Sequence, residues 1–376
     1  AIRLCSAGEP ESIRKAVELL FEAERPVLVA GNGAMLSGAG VAFRELVELL
    51  GVPFATTPGG RGIISESHPL ALGSVGIYRN RAAAAYMKSV DVMMVIGSRN
   101  EAFQTHRWKD LPPEAHLIQV DVSAAEISRN WLPEVGIVAD ARLALQQMLD
   151  EARKRDGRPG AGDLRRHTAG IMQDLRREVD DECATVQYPV PARRVVHETS
   201  SVFGDNTVLV NENGSQDTWS YVYPYYTVGD GSACVTVAEQ TCMGMGVVGA
   251  IAAKLAAPEK NVVCITGDGA FHMYMKELPT AAQYGAGCTW VVLNNSALGW
   301  PMFNQMRSVG WNTTAYQVRP DFVAIAMASS CHGRRVGSVD ELRPALEEAL
   351  SLNRQGMPVV IDVPTGLDMS HFERAE

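Results

Sequence analysis

None of the seven cysteines stands in a CxxC pair, and the count is odd. Cys5, Cys183, Cys234, Cys242, Cys264, Cys288 and Cys331 therefore lack zinc-ligand spacing and a fully paired disulfide framework. Several sit in apolar runs such as Val262-Val263-Cys264-Ile265, the setting of buried reduced thiols in a cytosolic protein. No apolar run reaches the roughly 18–20 residues that span a bilayer. No signal peptide opens the chain, so a cytoplasmic location is expected. The chain starts at Ala1 without Met, as a processed product or one numbered from inside a longer protein would. Basic excess is missing too: the net charge is -9 and the pI about 5.5. That excludes a general nucleic-acid binder and leaves room for a small anionic substrate. Tandem repeats and low-complexity tracts are absent.

What is present is an ordinary globular composition, 46% apolar and 20% charged over 376 residues, enough for two domains. Helical periodicity over 11–24 is followed by the apolar strand 26–30, which ends at Gly31-Asn32-Gly33. A helix over 40–50, strands over 52–56, 90–96 and 117–122, and a helix over 139–155 continue the alternation. Residues 153–162 are charged and glycine-rich and read as an exposed linker, with a polar helix over 163–182 behind it. A second alternation follows: strands over 207–211, 262–266, 289–293 and 359–363, and helices over 245–256, 273–284, 321–329 and 340–352. Buried strands separated by helices imply parallel sheets. The fold class expected is α/β, with two doubly wound parallel-sheet domains joined by a charged Gly-rich linker. The boundaries are 1–152, 153–188 and 189–376.

The chemistry lies in Ile265-Thr266-Gly267-Asp268-Gly269-Ala270-Phe271. A buried strand stops at Gly-Asp-Gly, where glycine lets a ligand approach the backbone closely. The helix expected next would aim free N–H groups at an anion. Asp268 falls at the C-terminal edge of the sheet, the ligand edge of open α/β folds. A carboxylate beside a diphosphate repels it unless a divalent cation bridges them. The strand at 290–293 ends at Asn294-Asn295-Ser296-Ala297-Leu298-Gly299, and Asn295 follows Asp268 by 27 residues, one βαβ step. Amide, carboxylate, carbonyl, phosphate and water oxygens would complete an octahedral magnesium shell. Each half-motif alone is weak, and the two one βαβ unit apart are specific.

This pairing resembles the thiamine-diphosphate motif of pyruvate decarboxylases and acetolactate synthases. Gly214-Ser215-Gln216-Asp217 falls where that family has its first diphosphate loop. Cys242-Met243-Gly244-Met245-Gly246 looks like the segment under the cofactor, and 294–299 is similar to the acetolactate-synthase form. The resemblance implies Asp268, Asn295 and the Ala297 carbonyl as ligands of Mg2+. It implies diphosphate contacts from Gly267, Gly269, Ala270, Gly214, Ser215 and Gln216, with Leu298 and Gly299 completing the cofactor loop. Met243 would be the apolar wedge under thiamine diphosphate, with ordinary helix packing as its bland alternative. The activity implied is decarboxylation of a 2-oxo acid and transfer of the acyl unit to a carbonyl acceptor. A non-ligating decarboxylase and a non-catalytic cofactor-binding or regulatory subunit are the alternatives.

Residues 1–150 look like the family's central domain and 190–365 like its diphosphate domain. Its pyrimidine-binding domain, with the activating glutamate, has no counterpart. The expectation is a separate partner subunit in a hetero-oligomer with at least two copies of each chain, and a cloned or proteolytic fragment is the alternative. FAD or ADP sometimes occupies the family's central domain. Arg99 stands where the synthases begin an FAD-contacting stretch, but Asn100-Glu101-Ala102 departs from the pattern, so FAD stays open. The loop at Gly31 resembles a loose dinucleotide fingerprint, yet Phe54-Ala55-Thr56-Thr57 offers no acidic residue for a ribose. His272, Trp300 and Pro301 are candidates for lining the active site. Asn304 replaces the synthases' selective tryptophan, which puts the substrate in doubt, and His332 reads as structural.

Overall fold

The computed structural model describes residues 5–237 and 241–367, so the outermost ends of the expected domains lie outside the described residues. The chain splits into two compact units that divide between Arg177 and Glu178.

The first unit opens with helix α1 (Pro10–Glu22). The Glu9 side chain caps it by accepting from Ser12 N–H, and Pro10 occupies its first turn. Ile13, Ala16, Val17 and Leu20 form its buried stripe. There follow β1 (Pro26–Ala30), α2 (Asn32–Leu36), α3 (Gly40–Leu50), β2 (Phe54–Thr56), β3 (Ala71–Ser74), α4 (Arg81–Met87), β4 (Val92–Ile96), β5 (His116–Asp121), β6 (Val135–Val138) and α5 (Ala141–Ala152). The six strands are all parallel in the order β3-β2-β1-β4-β5-β6. All five residues of β1 and of β4 are buried, so both faces of the sheet are covered.

Asp140 caps α5, its Oδ1 accepting from Arg142 N–H at 3.1 Å and Leu143 N–H at 3.3 Å. Asp140→Ala leaves two donors unmet and should cost about 1 kcal/mol in urea denaturation. A cost near zero would show that the cap adds nothing.

Residues 153–162 are not wholly the exposed linker expected. Arg158 is buried and donates from Nε to the Leu20 carbonyl at 3.0 Å and from Nη2 to the Ala23 carbonyl at 2.6 Å. The guanidinium thus closes the C-terminal end of α1, whose last carbonyls need donors. Helix α6 (Ala161–Cys183) then runs across the division between the units.

The second unit contains α7 (Ala192–Phe203), β7 (Thr207–Asn211), β8 (Ala233–Val235), α8 (Met245–Ala256), β9 (Asn261–Gly267), α9 (Asp268–Tyr274), α10 (Leu278–Gln283), β10 (Thr289–Asn294), α11 (Gly299–Val309), α12 (Phe322–Ala328), β11 (His332–Arg335), α13 (Leu342–Asn353) and β12 (Val359–Pro364). Its sheet is also all parallel, in the order β11-β12-β10-β9-β7-β8. Its core gathers Val210, Cys264, Phe271, Trp290, Phe322 and Val360 among others. The helix expected over 273–284 starts five residues earlier, at Asp268, and is broken: a 3-10 turn over Met275–Glu277 separates α9 from α10, and Pro279 lies in the first turn of α10. Four cysteines (Cys183, Cys264, Cys288 and Cys331) are buried, Cys234 is half-buried, Cys5 and Cys242 are exposed, and none is in a disulfide.

Candidate functional site

In the second sheet, β8 lies on one side of β7 and β9 on the other, so strand order reverses between β7 and β9. Such a reversal splays the following loops apart and opens a crevice at the carboxyl edge. The loop after β7 carries Gly214, Ser215 and Gln216. The turn after β9 carries Asp268, Gly269 and Ala270, and the loop after neighbouring β10 carries Asn295, Ala297, Leu298 and Gly299. Three separated stretches of sequence meet at one edge because their strands are parallel neighbours.

Asp268 is buried at 2% exposure and joins two of these stretches. Its Oδ1 accepts from Gly269 N–H at 2.9 Å and its Oδ2 from Ser296 N–H at 2.6 Å. Asn295 precedes Ser296, and its Oδ1 accepts from Ala297 N–H at 3.2 Å. Ser296 adopts φ +58°, a left-handed conformation rare for a residue with Cβ, which turns its N–H back to Asp268. The two halves of the motif are thus bonded neighbours at one end of the sheet. Burial raises the Asp268 carboxyl to about 6, against the pull of the Ser296 and Gly269 N–H groups.

Close packing around the turn explains two glycines. A Cβ on Gly269 would stand 2.7 Å from Leu298 Cδ2, 3.1 Å from Tyr316 Oη and 3.6 Å from Met243 Cε. One on Gly299 would meet Ser215 Oγ, and Asn295 Nδ2 at 2.9 Å. The structure therefore brings Ser215, Met243, Gly269, Asn295, Leu298 and Gly299 together. Beside Gly267 an added Cβ would meet nothing within 4 Å, which leaves open space at the end of β9. Ala270 and Ala297 are buried beside these groups. Helix α9 has only seven residues, shorter than the helix the sequence led us to expect, so the N–H groups at the turn carry less support from a helix dipole.

The Gln216 side chain has partners of its own. Its Oε1 accepts from Thr365 Oγ1 at 2.5 Å and its Nε2 donates to the Gly366 carbonyl, so the side chain ties the loop to the segment after β12. His272, Trp300, Pro301 and Asn304 are exposed, and the His272 ring lies 6.4 Å from that of Tyr316. In the first unit, Gly31 is packed against Gly97: a Cβ on Gly31 would stand 2.3 Å from the Gly97 carbonyl oxygen. Arg99 is exposed beside Glu101, at 3.5 Å.

Two acidic residues received no role in the sequence reading: Glu212, which it did not single out, and Asp217, which it named only as the end of the first diphosphate loop. Glu212 accepts from Asn213 N–H at 2.9 Å and Gly246 N–H at 2.8 Å. Asp217 is 0% exposed, and among the described residues neither carboxyl oxygen has a hydrogen-bond partner. Burial pushes the Asp217 carboxyl well above the carboxylate range, and the charges of Glu212 and Asp268 push it further. The only signal was the presence of two acids flanking a glycine loop, a pattern that ordinarily means solvent-facing residues.

The donor set fits a divalent cation held against an anionic ligand. Asp268 keeps lone pairs beyond its two N–H bonds, Asn295 offers an amide oxygen, and Asp217 is an orphaned buried acid nearby. Among the described residues no three His, Cys, Asp or Glu side chains form a cage. Magnesium needs no such cage, because it takes one or two carboxylates and fills its shell with phosphate and water oxygens. Among the described residues no helix is long and apolar enough to cross a membrane.

Residues 13–148 match the thiamine pyrophosphate enzyme central domain, and 213–363 the C-terminal TPP binding domain. The chain is 31% identical to a "Probable acetolactate synthase large subunit" of Methanococcus aeolicus, over 94% of this chain and 60% of that protein. It is 30% identical to a protein of the same name from Methanocaldococcus jannaschii, over 97% and 62%. Against the "Acetolactate synthase isozyme 3 large subunit" of Escherichia coli it is 28% identical, over 95% and 62%. The chain thus spans about three fifths of the length of the curated relatives it matches.

Proposed function

Since the chain belongs to the thiamine-pyrophosphate-dependent enzymes and carries their central and C-terminal cofactor-binding domains, we propose that it is the cofactor-holding part of a carboligase. The reaction decarboxylates a 2-oxo acid and joins the remaining acyl unit to a second carbonyl compound. The names of the relatives support this choice. The observation that carries it is the bond from Ser296 N–H to Asp268, which sets the two half-motifs side by side.

In this reading Asp268, Asn295 and the Ala297 carbonyl hold Mg2+. The cation turns the repulsion between Asp268 and a diphosphate into attraction. Gly267, Gly269 and Ala270 line the diphosphate on one side, and Gly214, Ser215 and the main chain of Gln216 on the other. Met243 and Leu298 wall the crevice with apolar atoms, and Gly299 lets the loops close on it. When bound, thiamine diphosphate supplies the carbon nucleophile that attacks the 2-oxo acid and accepts the electron pair released with carbon dioxide.

The carboxylate that activates the aminopyrimidine comes from a pyrimidine-binding module on a partner chain. The acids at this edge are otherwise engaged: Glu212 accepts two backbone N–H groups, Asp217 is sealed, and Asp268 is assigned to the cation. Calorimetric titration of the chain with thiamine diphosphate and Mg2+, with and without such a module, tests the assignment. Binding followed by carbon dioxide release and a ligated product supports it. Carbon dioxide without ligation would reduce the activity to decarboxylation, binding without turnover would leave a regulatory subunit, and no binding in any combination would overturn the reading.

A further inference from the structure

Residues 312–316 return along the loop after β10. Leu298 N–H donates to the Thr314 carbonyl at 3.1 Å, and Tyr316 N–H to the Ser296 carbonyl at 2.9 Å. Ala297 and Ala315 pair between them as an antiparallel bridge. This return fixes Tyr316 to the same loop that carries Asn295, although 21 residues of sequence separate the two. The phenol crosses to the turn after β9, where Oη lies 3.1 Å from the position of a Cβ on Gly269. Leu298 and Met243 approach that same position, so apolar atoms stand near the hydroxyl, and the His272 ring lies beside that of the half-buried Tyr316.

Among the described residues the hydroxyl has no hydrogen-bond partner, so a donor stands free over the Gly-Asp-Gly turn. A phenol keeps its proton across the working range and can donate to an anion. A neutral donor suits this place, because Asp268 repels any second negative group unless a proton or a cation lies between them.

We propose that Tyr316 is a positioning residue that donates a hydrogen bond to a phosphate oxygen of the ligand held at Asp268. This rests on the cofactor reading above and adds to it a contact from a segment that neither half-motif contains. A donor anchored to the metal loop tightens that loop over the diphosphate as the ligand arrives. The contact acts on binding of the phosphate end, whatever carbonyl compounds react at the other end.

Tyr316→Phe removes the donor and keeps the ring. The probes are thiamine diphosphate and inorganic pyrophosphate, each titrated calorimetrically into the full chain with saturating Mg2+. Both dissociation constants should rise at least about tenfold, the effect of one hydrogen bond to a charged group. The melting temperature of the ligand-free protein should stay the same, which a merely structural role would not allow. Unchanged affinity for both probes overturns the proposal. So does weakened thiamine diphosphate binding with unchanged pyrophosphate binding, since the contact would then be to another part of the molecule. Failure of the unsubstituted chain to bind either probe would sink the cofactor reading itself, and this proposal with it.

Discussion

Asp268→Asn should weaken binding of thiamine diphosphate with Mg2+ at least about a hundredfold, roughly 2.7 kcal/mol, while making the ligand-free protein more stable. The two effects have one cause. Asp268 is 2% exposed and burial lifts its carboxyl to about 6. The raised value means that folding disfavours the ionised form. Relative to an ordinary carboxylate near 4, the cost at neutral pH is about 3 kcal/mol. It is absent below the unfolded value, grows as pH rises from about 4 to 6, and is complete above 6. Asparagine has no charge to bury, so a large part of that cost should disappear. The neutral amide also forfeits the attraction that binds the cation, and through it the diphosphate.

The same carboxyl sets a pH dependence of binding. Above pH 6 Asp268 is ionised and ready for Mg2+. Below it a proton competes, and affinity should fall about tenfold for each further pH unit until other groups intervene. Calorimetry from pH 5 to 8 and urea denaturation of the ligand-free chain measure the two halves of this prediction. A variant that loses ligand affinity without gaining stability would show that Asp268 carries no stored electrostatic cost. Intact affinity in the variant would remove it from the cation site.

The core of this site was legible because its signal is local. A strand ending at Gly-Asp-Gly and another ending at Asn-Asn, one βαβ step apart, leave few other arrangements in a parallel sheet. Tyr316 was not legible, because its approach to Gly269 depends on a return of chain paired to Ser296–Leu298 and on no periodicity. The side-chain bonds of Gln216 were not legible, because its partners, Thr365 and Gly366, lie 149 and 150 residues away. Glu212 and Asp217 look like surface acids until the fold buries them. Among the strands, β1, β7, β9 and β10 were plain as apolar runs. Edge strand β11 has the polar sequence His332-Gly333-Arg334-Arg335 and takes its conformation from pairing with β12. The helix break at 275–277 was hidden by an apolar pattern that runs through it, even though Pro279 marked the restart.

Glu66→Ala should destabilise the first unit by about 3–5 kcal/mol, the loss expected when a buried charge loses its partner. Arg61 and Glu66 are paired in two places, Nε to Oε1 at 2.7 Å and Nη2 to Oε2 at 2.9 Å, with side chains 0% and 2% exposed. At that depth water cannot solvate the guanidinium left behind, and both arms of the fork lose their carboxylate at once. The pair closes the loop after β2, where a Cβ on Gly60 would stand 2.1 Å from the Ala30 carbonyl oxygen, so the chain there has no slack to carry the arginine outward. Arg61→Met combined with Glu66→Leu removes both charges and fills the same space, and should recover most of the loss. Urea denaturation, with hydrogen exchange assigning the transition to residues 5–177, measures both variants. A single substitution that costs less than about 1 kcal/mol, the range of exposed pairs, would mean that solvent reaches the arginine. A double variant no better than the single one would mean that the pair's shape, and not its charge, holds the loop in place.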